Sequence, residues 1–125
     1  MASMQELVRL MRVLRGPRGC PWDREQTLAD FRKHFKNESA EVLEALRKED
    51  WENLREELGD VLWHIIFMSE IAEDEGLFAL DDVMEGLKEK MVRRHPHVFG
   101  AGRRLKTSAD VMREYRKIKA KEKRR

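Results

Sequence analysis

Glu38-Ser39-Ala40-Glu41 and Glu57-Leu58-Gly59-Asp60 set two acid pairs at i, i+3 spacing, each in a segment that reads as helix. Residues at that spacing share a helix face. On facing helices the two pairs would point four carboxylates into one small volume. Crowded carboxylates in apolar surroundings need a counter-charge. A hard divalent cation supplies it, and an all-oxygen donor set suits magnesium, with manganese as a substitute.

Spacing alone does not select these residues, because Glu41/Glu44, Glu49/Glu52, Glu70/Glu73 and Asp82/Glu85 repeat it. Position on the helical wheel does separate them. Glu38 and Glu41 flank Phe35, Val42 and Ala45 at the edge of an apolar stripe, whereas Glu44 points away. Asp60 lies inside Leu58-Gly-Asp-Val-Leu-Trp63, where an unpaired acid would be costly. Glu57 and His64 share its side. Gly59 costs about 1 kcal/mol in a helix and would permit close approach by a ligand or another helix.

The cationic candidates are Lys90 and Arg94, at i, i+4 before Pro96, with Tyr115 and Lys119 repeating that spacing. A carboxylate-held cation beside Lys and Arg suits a polyphosphate substrate. The same cations also serve as ordinary complements to a helix C-terminus or as part of a basic tail. Residues 113–125 carry eight Lys or Arg against two Glu. Such a helix also suits a rival role, docking on nucleic acid or an acidic protein without chemistry. The formal net charge of +2 argues against nucleic acid.

Several classes are excluded. No G-x-x-x-x-G-K-[ST] or G-x-G-x-x-G loop is present, so neither a P-loop nor a Rossmann cradle forms. No Glu-x-x-His occurs, against a ferritin-like di-iron bundle. His34, His64, His95 and His97 have no zinc-ligand spacing with Cys20, which is the only cysteine and reads as a small apolar residue in a reducing compartment. With no signal peptide and no apolar run near a membrane span, the expected setting is soluble and cytoplasmic.

The elements that must position these residues are helical. High charge, at 40%, alongside 41% hydrophobic residues suits long helices in one domain over 1–125. Ser3 and Glu6 form a capping box for a helix over 1–15. A loop follows at 16–26. Thr27 with Asp30, then Asp50, then Asp81 or Asp82 open three helices within a core over 27–95 that carries the metal-binding acids. A Gly- and Arg-rich loop spans 96–107, and Thr107 or Ser108 caps a basic helix over 108–125. No segment alternates like a strand. The expected fold is an all-α bundle of about five helices. In the central helix Leu58, Val61, Leu62 and Ile65 make one apolar stripe, while Trp63 and Phe67 project elsewhere. A helix apolar around most of its girth is buried on more than one side. This favours assembly through the central helices, as a homodimer or a tetramer.

Four stretches in order carry a resemblance: Gly19-Cys-Pro-Trp-Asp-Arg-Glu-Gln-Thr27, Glu38-x-x-Glu41, Glu56-Glu-Leu-Gly-Asp-Val-Leu62, and Arg93-Arg-His-Pro-His-Val-Phe-Gly100. Together they closely resemble the MazG family of nucleoside triphosphate pyrophosphohydrolases, from about residue 4 to 122. The resemblance implies an all-α, commonly dimeric protein. It also implies magnesium-dependent hydrolysis of a nucleoside triphosphate to the monophosphate and pyrophosphate. The family's metal ligands fall on Glu38, Glu41, Glu57 and Asp60, and its phosphate-binding residues on Lys90 and Arg94. A C-terminal Trp-x-x-x-Lys element falls on Tyr115 and Lys119, with Tyr replacing Trp. Asn37, Leu28 and His64 stand where the family often has Glu, His and Gln. On this reading Glu41 or Glu56 takes the proton of the attacking water, and Trp22 or Tyr115 stacks on the base.

Overall fold

The structure is a computed structural model that describes residues 1–124. Among the described residues there are seven helices and no strand. They are α1 (Met4–Leu14), α2 (Pro21–Glu25), α3 (Phe31–Arg47), α4 (Trp51–Asp74), α5 (Leu80–Arg94), α6 (Pro96–Phe99) and α7 (Ser108–Lys123). The all-α expectation holds, with two more helices than anticipated. Both additions lie in segments expected to be loops, and both open on proline, Pro21 and Pro96. Proline's fixed φ suits a first helical position, where its missing N–H would have no partner anyway. Arg125, the last residue of the expected C-terminal helix, lies outside the described residues.

Local signals explain the helix starts. The Ser3 hydroxyl accepts from the Glu6 amide at 3.2 Å. Asp50 accepts from the Asn53 amide at 3.2 Å to open α4. The Thr107 hydroxyl accepts from the Asp110 amide at 3.1 Å to open α7. Thr27 and Asp30 do pair reciprocally, the Thr27 amide donating to Asp30 Oδ2 at 2.8 Å and the Asp30 amide to Thr27 Oγ1 at 3.3 Å. That box closes a turn just ahead of α3, which starts at Phe31. Gly19 holds the segment between α1 and α2 tight. A Cβ there would lie 2.2 Å from the Leu14 carbonyl oxygen, so only glycine fits.

The chain divides into two compact units, Met1–Leu80 and Asp81–Arg125. In the first, α1 and α3 both pack on α4. Its core is Met11, Phe31, Ile66, Phe67, Ile71 and Leu80. Arg12 of α1 ties to α4 by donating to Glu70 at 3.1 Å and lying 3.6 Å from Glu73. The buried side of α4 therefore runs through Ile66, Phe67 and Ile71. Leu58, assigned to the buried stripe by periodicity, is exposed, and Val61, Leu62, Trp63 and Ile65 are half-buried. In the first turns of α4, Trp51, Leu58 and Asp60 are exposed. In the second unit, α5 carries Lys90 and Arg94, and α7 carries Tyr115 and Lys119. No helix among the described residues is long and apolar enough to cross a membrane.

Candidate metal and phosphate-binding residues

The acids of α3 and α4 meet in the first unit. Glu38, Glu41 and Glu57 each offer a carboxylate oxygen, and these oxygens all lie within 4.8 Å of one another. Glu38 and Glu57 are each 8% exposed, while Glu41 lies at the open side. No lysine or arginine forms an ion pair with any of the three among the described residues. Glu38 Oε1 and Glu57 Oε2 are buried with no hydrogen-bond partner. The group thus carries a negative charge that no described Lys or Arg answers.

The electrostatics follow from that crowding. Burial is the main cause holding the Glu38 carboxyl above the usual range, with the charges of Asp60 and Glu41 adding to it. Contact with Glu57 raises Glu41, and contact with Glu38 raises Glu57. Each carboxyl resists ionising beside the next, as like charges at short range must. A hard dication removes the conflict by replacing a shared proton with two positive charges. The donor chemistry and the two orphaned oxygens therefore fit magnesium.

Asp60 stands differently. It is exposed, not buried in the apolar run that surrounds it in sequence. Leu58 is exposed as well, so this side of α4 is uncovered among the described residues. Asp60 lies outside the tight group, although its charge still raises all three neighbouring carboxyls. Among the described residues, Gly59 has no heavy atom outside its own stretch of helix within 4 Å of where a Cβ would sit. Glu56 is exposed and lines a surface depression with Asp50, Asn53, Arg55 and Gly59.

Beside the acids, His64 packs edge-on against Phe31 with centroids 5.3 Å apart. Burial pushes its imidazole pKa down. Trp22 is half-exposed, T-shaped to Phe67 at 6.2 Å and 5.4 Å from the His34 ring. His34 Nε2 in turn lies 2.8 Å from Gln26 Oε1. These contacts anchor Trp22 to the core and leave one side of its indole to solvent. The Cys20 amide donates to the Leu14 carbonyl at 2.7 Å, and the residue sits at the start of α2, a structural position.

In the second unit Arg94, Tyr115 and Lys119 do come together. Arg94 Nη1 donates to the Tyr115 hydroxyl at 3.0 Å, and its guanidinium lies 5.3 Å from that ring's centroid. Lys119 Nζ lies 5.4 Å from the same centroid. Sequence reasoning missed Glu122. It accepts from Arg94 Nη2 at 3.1 Å and from Arg93 Nη2 at 3.3 Å. Those two arginines hold its carboxyl down at about 2. The available signal was Tyr115, Lys119 and Glu122 at i, i+4, i+7, one face of a helix. Lys90 is half-buried and has no ion pair among the described residues.

Residues 26–99 match the MazG nucleotide pyrophosphohydrolase domain. The chain is 40% identical over 123 residues to a nucleoside triphosphate pyrophosphohydrolase of Escherichia coli strain K12, covering 98% of this chain and 46% of that protein. It is 45% identical over 96 residues to a nucleoside triphosphate pyrophosphohydrolase/pyrophosphatase MazG of Thermotoga maritima, covering 77% of this chain and 38% of the other. The chain thus spans less than half the length of these curated relatives. The crystal structure of a mazG-related protein from Thermotoga maritima superposes with a TM-score of 0.76 at 24% identity. That match covers 94% of this chain and 99% of the other, and it supports the all-α architecture. The motifs, the helical fold and the matched domain agree: this chain belongs to the MazG nucleotide pyrophosphohydrolase family.

Proposed function

We propose that this chain is a magnesium-dependent nucleoside triphosphate pyrophosphohydrolase, converting an NTP or dNTP and water to the monophosphate and pyrophosphate. The observation that carries this reading is the unanswered carboxylate group of Glu38, Glu41 and Glu57, with two buried oxygens lacking a partner. By contrast, Glu70 and Glu73, a pair of the same spacing, are answered by Arg12, and Glu44 by Arg47 and Lys48. What sets this group apart is that Glu38 and Glu57 are buried without a counter-charge, which suits a cation, and the named activity of the relatives supplies the substrate class.

Glu38, Glu41 and Glu57 hold the metal, with Asp60 as a fourth ligand at the open edge. When bound, magnesium offsets phosphate charge and polarises phosphate oxygens. Lys90, Arg94 and Lys119 bind the polyphosphate and stabilise charge on the departing pyrophosphate. Arg94 must share its guanidinium between Glu122 and that phosphate. Tyr115 already carries two cations against its ring, so it orients Arg94 and Lys119 rather than stacking a base. Trp22, with its open indole side, is the base-stacking residue. Glu41, at the open side of the group, accepts the water's proton in preference to Glu56, which lies outside the group. The working form is a homodimer, which would cover the apolar residues that the single chain leaves exposed.

The test is incubation with each standard NTP and dNTP plus magnesium, with products separated. Monophosphate and pyrophosphate are expected from at least one substrate, and their absence across the panel would overturn the reading. Glu57→Gln should abolish turnover with helical circular dichroism unchanged.

A further inference from the structure

The second unit contains a basic groove that the proposed chemistry does not use. It encloses about 580 Å³, within the roughly 300–1,000 Å³ typical of small-ligand sites. Its floor is built by a backbone constraint. The amides of Gly100 and Gly102 both donate to the Pro96 carbonyl, at 3.0 and 3.2 Å. A Cβ on Gly102 would lie 2.8 Å from that carbonyl oxygen, so only glycine lets the segment after α6 fold this closely. The turn sends Arg103, Arg104 and Lys106 along one wall, and α7 forms the other.

Charge accounting separates the two walls. On α7 the groove is lined by Asp110, Arg113, Glu114 and Lys117. Arg113 pairs with Asp110, and Lys117 with Glu114 at 3.3 Å, so that wall is neutral. Arg103, Arg104 and Lys106 are exposed and have no ion pair among the described residues. Three like charges on one short turn repel one another, and a bound anion relieves that repulsion. Arginine's planar fork and lysine's ammonium both suit phosphate oxygens. The groove is also distinct from the Arg94 cluster. Asp110, Arg113, Glu114 and Lys117 follow i, i+3, i+4, i+7 on one face of α7, whereas Tyr115, Lys119 and Glu122 occupy another.

The geometry points to a second anion site in this groove, formed by Arg103, Arg104 and Lys106, that binds a compact polyphosphate. The enclosed volume and the three unanswered cations match a short phosphate chain, either inorganic or the tail of a nucleotide. The site needs no divalent metal, because its charge is already opposite to that of its ligand.

The experiment is calorimetric titration with inorganic tripolyphosphate, and separately with ATP, in buffer containing EDTA. It is run on wild type, on Glu57→Gln, and on the triple variant Arg103→Ser/Arg104→Ser/Lys106→Ser. Binding is expected in wild type and Glu57→Gln, weakened about tenfold or more in the triple variant and weakened by added salt. Equal binding of both ligands assigns an inorganic source, and tighter binding of ATP assigns a nucleotide. Because turnover is not read, failure of the hydrolase reading leaves this test intact. Amide shift mapping on wild type guards against a triple variant that misfolds, with perturbations expected over residues 97–117. Unchanged affinity in a folded triple variant would overturn the site. Shifts confined to Lys90, Arg94, Tyr115 and Lys119 would do so too, as would an oligonucleotide that binds and is not displaced by tripolyphosphate.

Discussion

Glu70 and Glu38 are buried almost equally, at 7% and 8% exposure, yet their surroundings are opposite. Glu70 accepts two hydrogen bonds from Arg12, while Glu38 lies with the carboxylates of Glu41 and Glu57 and its Oε1 has no hydrogen-bond partner. A buried charge must be paired or must find a counter-ion. Magnesium should therefore raise the melting temperature of wild type at neutral pH, by mass action on the folded state. Glu57→Gln should abolish that rise, and differential scanning fluorimetry with and without the metal reads it. A second prediction concerns Glu122. Its folded pKa, about 2, lies below its ordinary 4.5. Between these values the folded state binds fewer protons than the unfolded chain, so stability falls as the pH falls. The contribution is complete above about pH 4.5 and is lost on descent towards about 2. Urea melts across that window should show the loss in wild type and a shallower one in Glu122→Gln.

At the scale of elements, caps and core residues do separable work. Asp50 satisfies one orphan amide at the start of α4, the helix that carries Glu57 and Asp60. Asp50→Ala should cost about 1 kcal/mol in chemical denaturation with the metal response retained. Phe67 sits in the core of the first unit, against Phe31 at 4.8 Å and Trp22 at 6.2 Å. Phe67→Ala removes a large buried ring and should cost about 3–5 kcal/mol. It should also release Trp22, seen as a red shift in tryptophan emission. These helices were largely legible in sequence, because capping residues act locally. α2 and α6 were not, because helices this short show no apolar periodicity and only their leading prolines announce them.

For the whole molecule, the telling feature is what the single chain leaves uncovered. Leu43 and Leu46 of α3, with Trp51 and Leu58 of α4, are exposed, the last two at 60% and 52%. Contiguous exposed apolar groups mark association surfaces, and we propose that these residues form one. Wild type should sediment as a dimer or larger species in analytical ultracentrifugation. Leu58→Glu should shift it towards monomer, and a monomeric wild type at micromolar concentration would contradict the assembly. Asp60 and Gly59 border Leu58 in sequence, so a subunit seated there would also change their surroundings.

Helical spacing by itself determined which acids could share a face, and the ordered motifs determined the family. Both are one-dimensional properties: periodicity follows from the backbone repeat, and motif order is written along the chain. Tertiary structure decided which acids lack a counter-charge. Glu70/Glu73 and Glu38/Glu41 look alike as spacing, and only the packing of α1 on α4 brings Arg12 to the first pair and nothing to the second. Tertiary structure also decided burial. Asp60 sits among apolar neighbours in sequence yet faces solvent, because burial depends on what packs against a helix side and not on its adjacent residues. The same holds for Arg94, whose partner Glu122 lies 28 residues away and meets it only once α7 has folded.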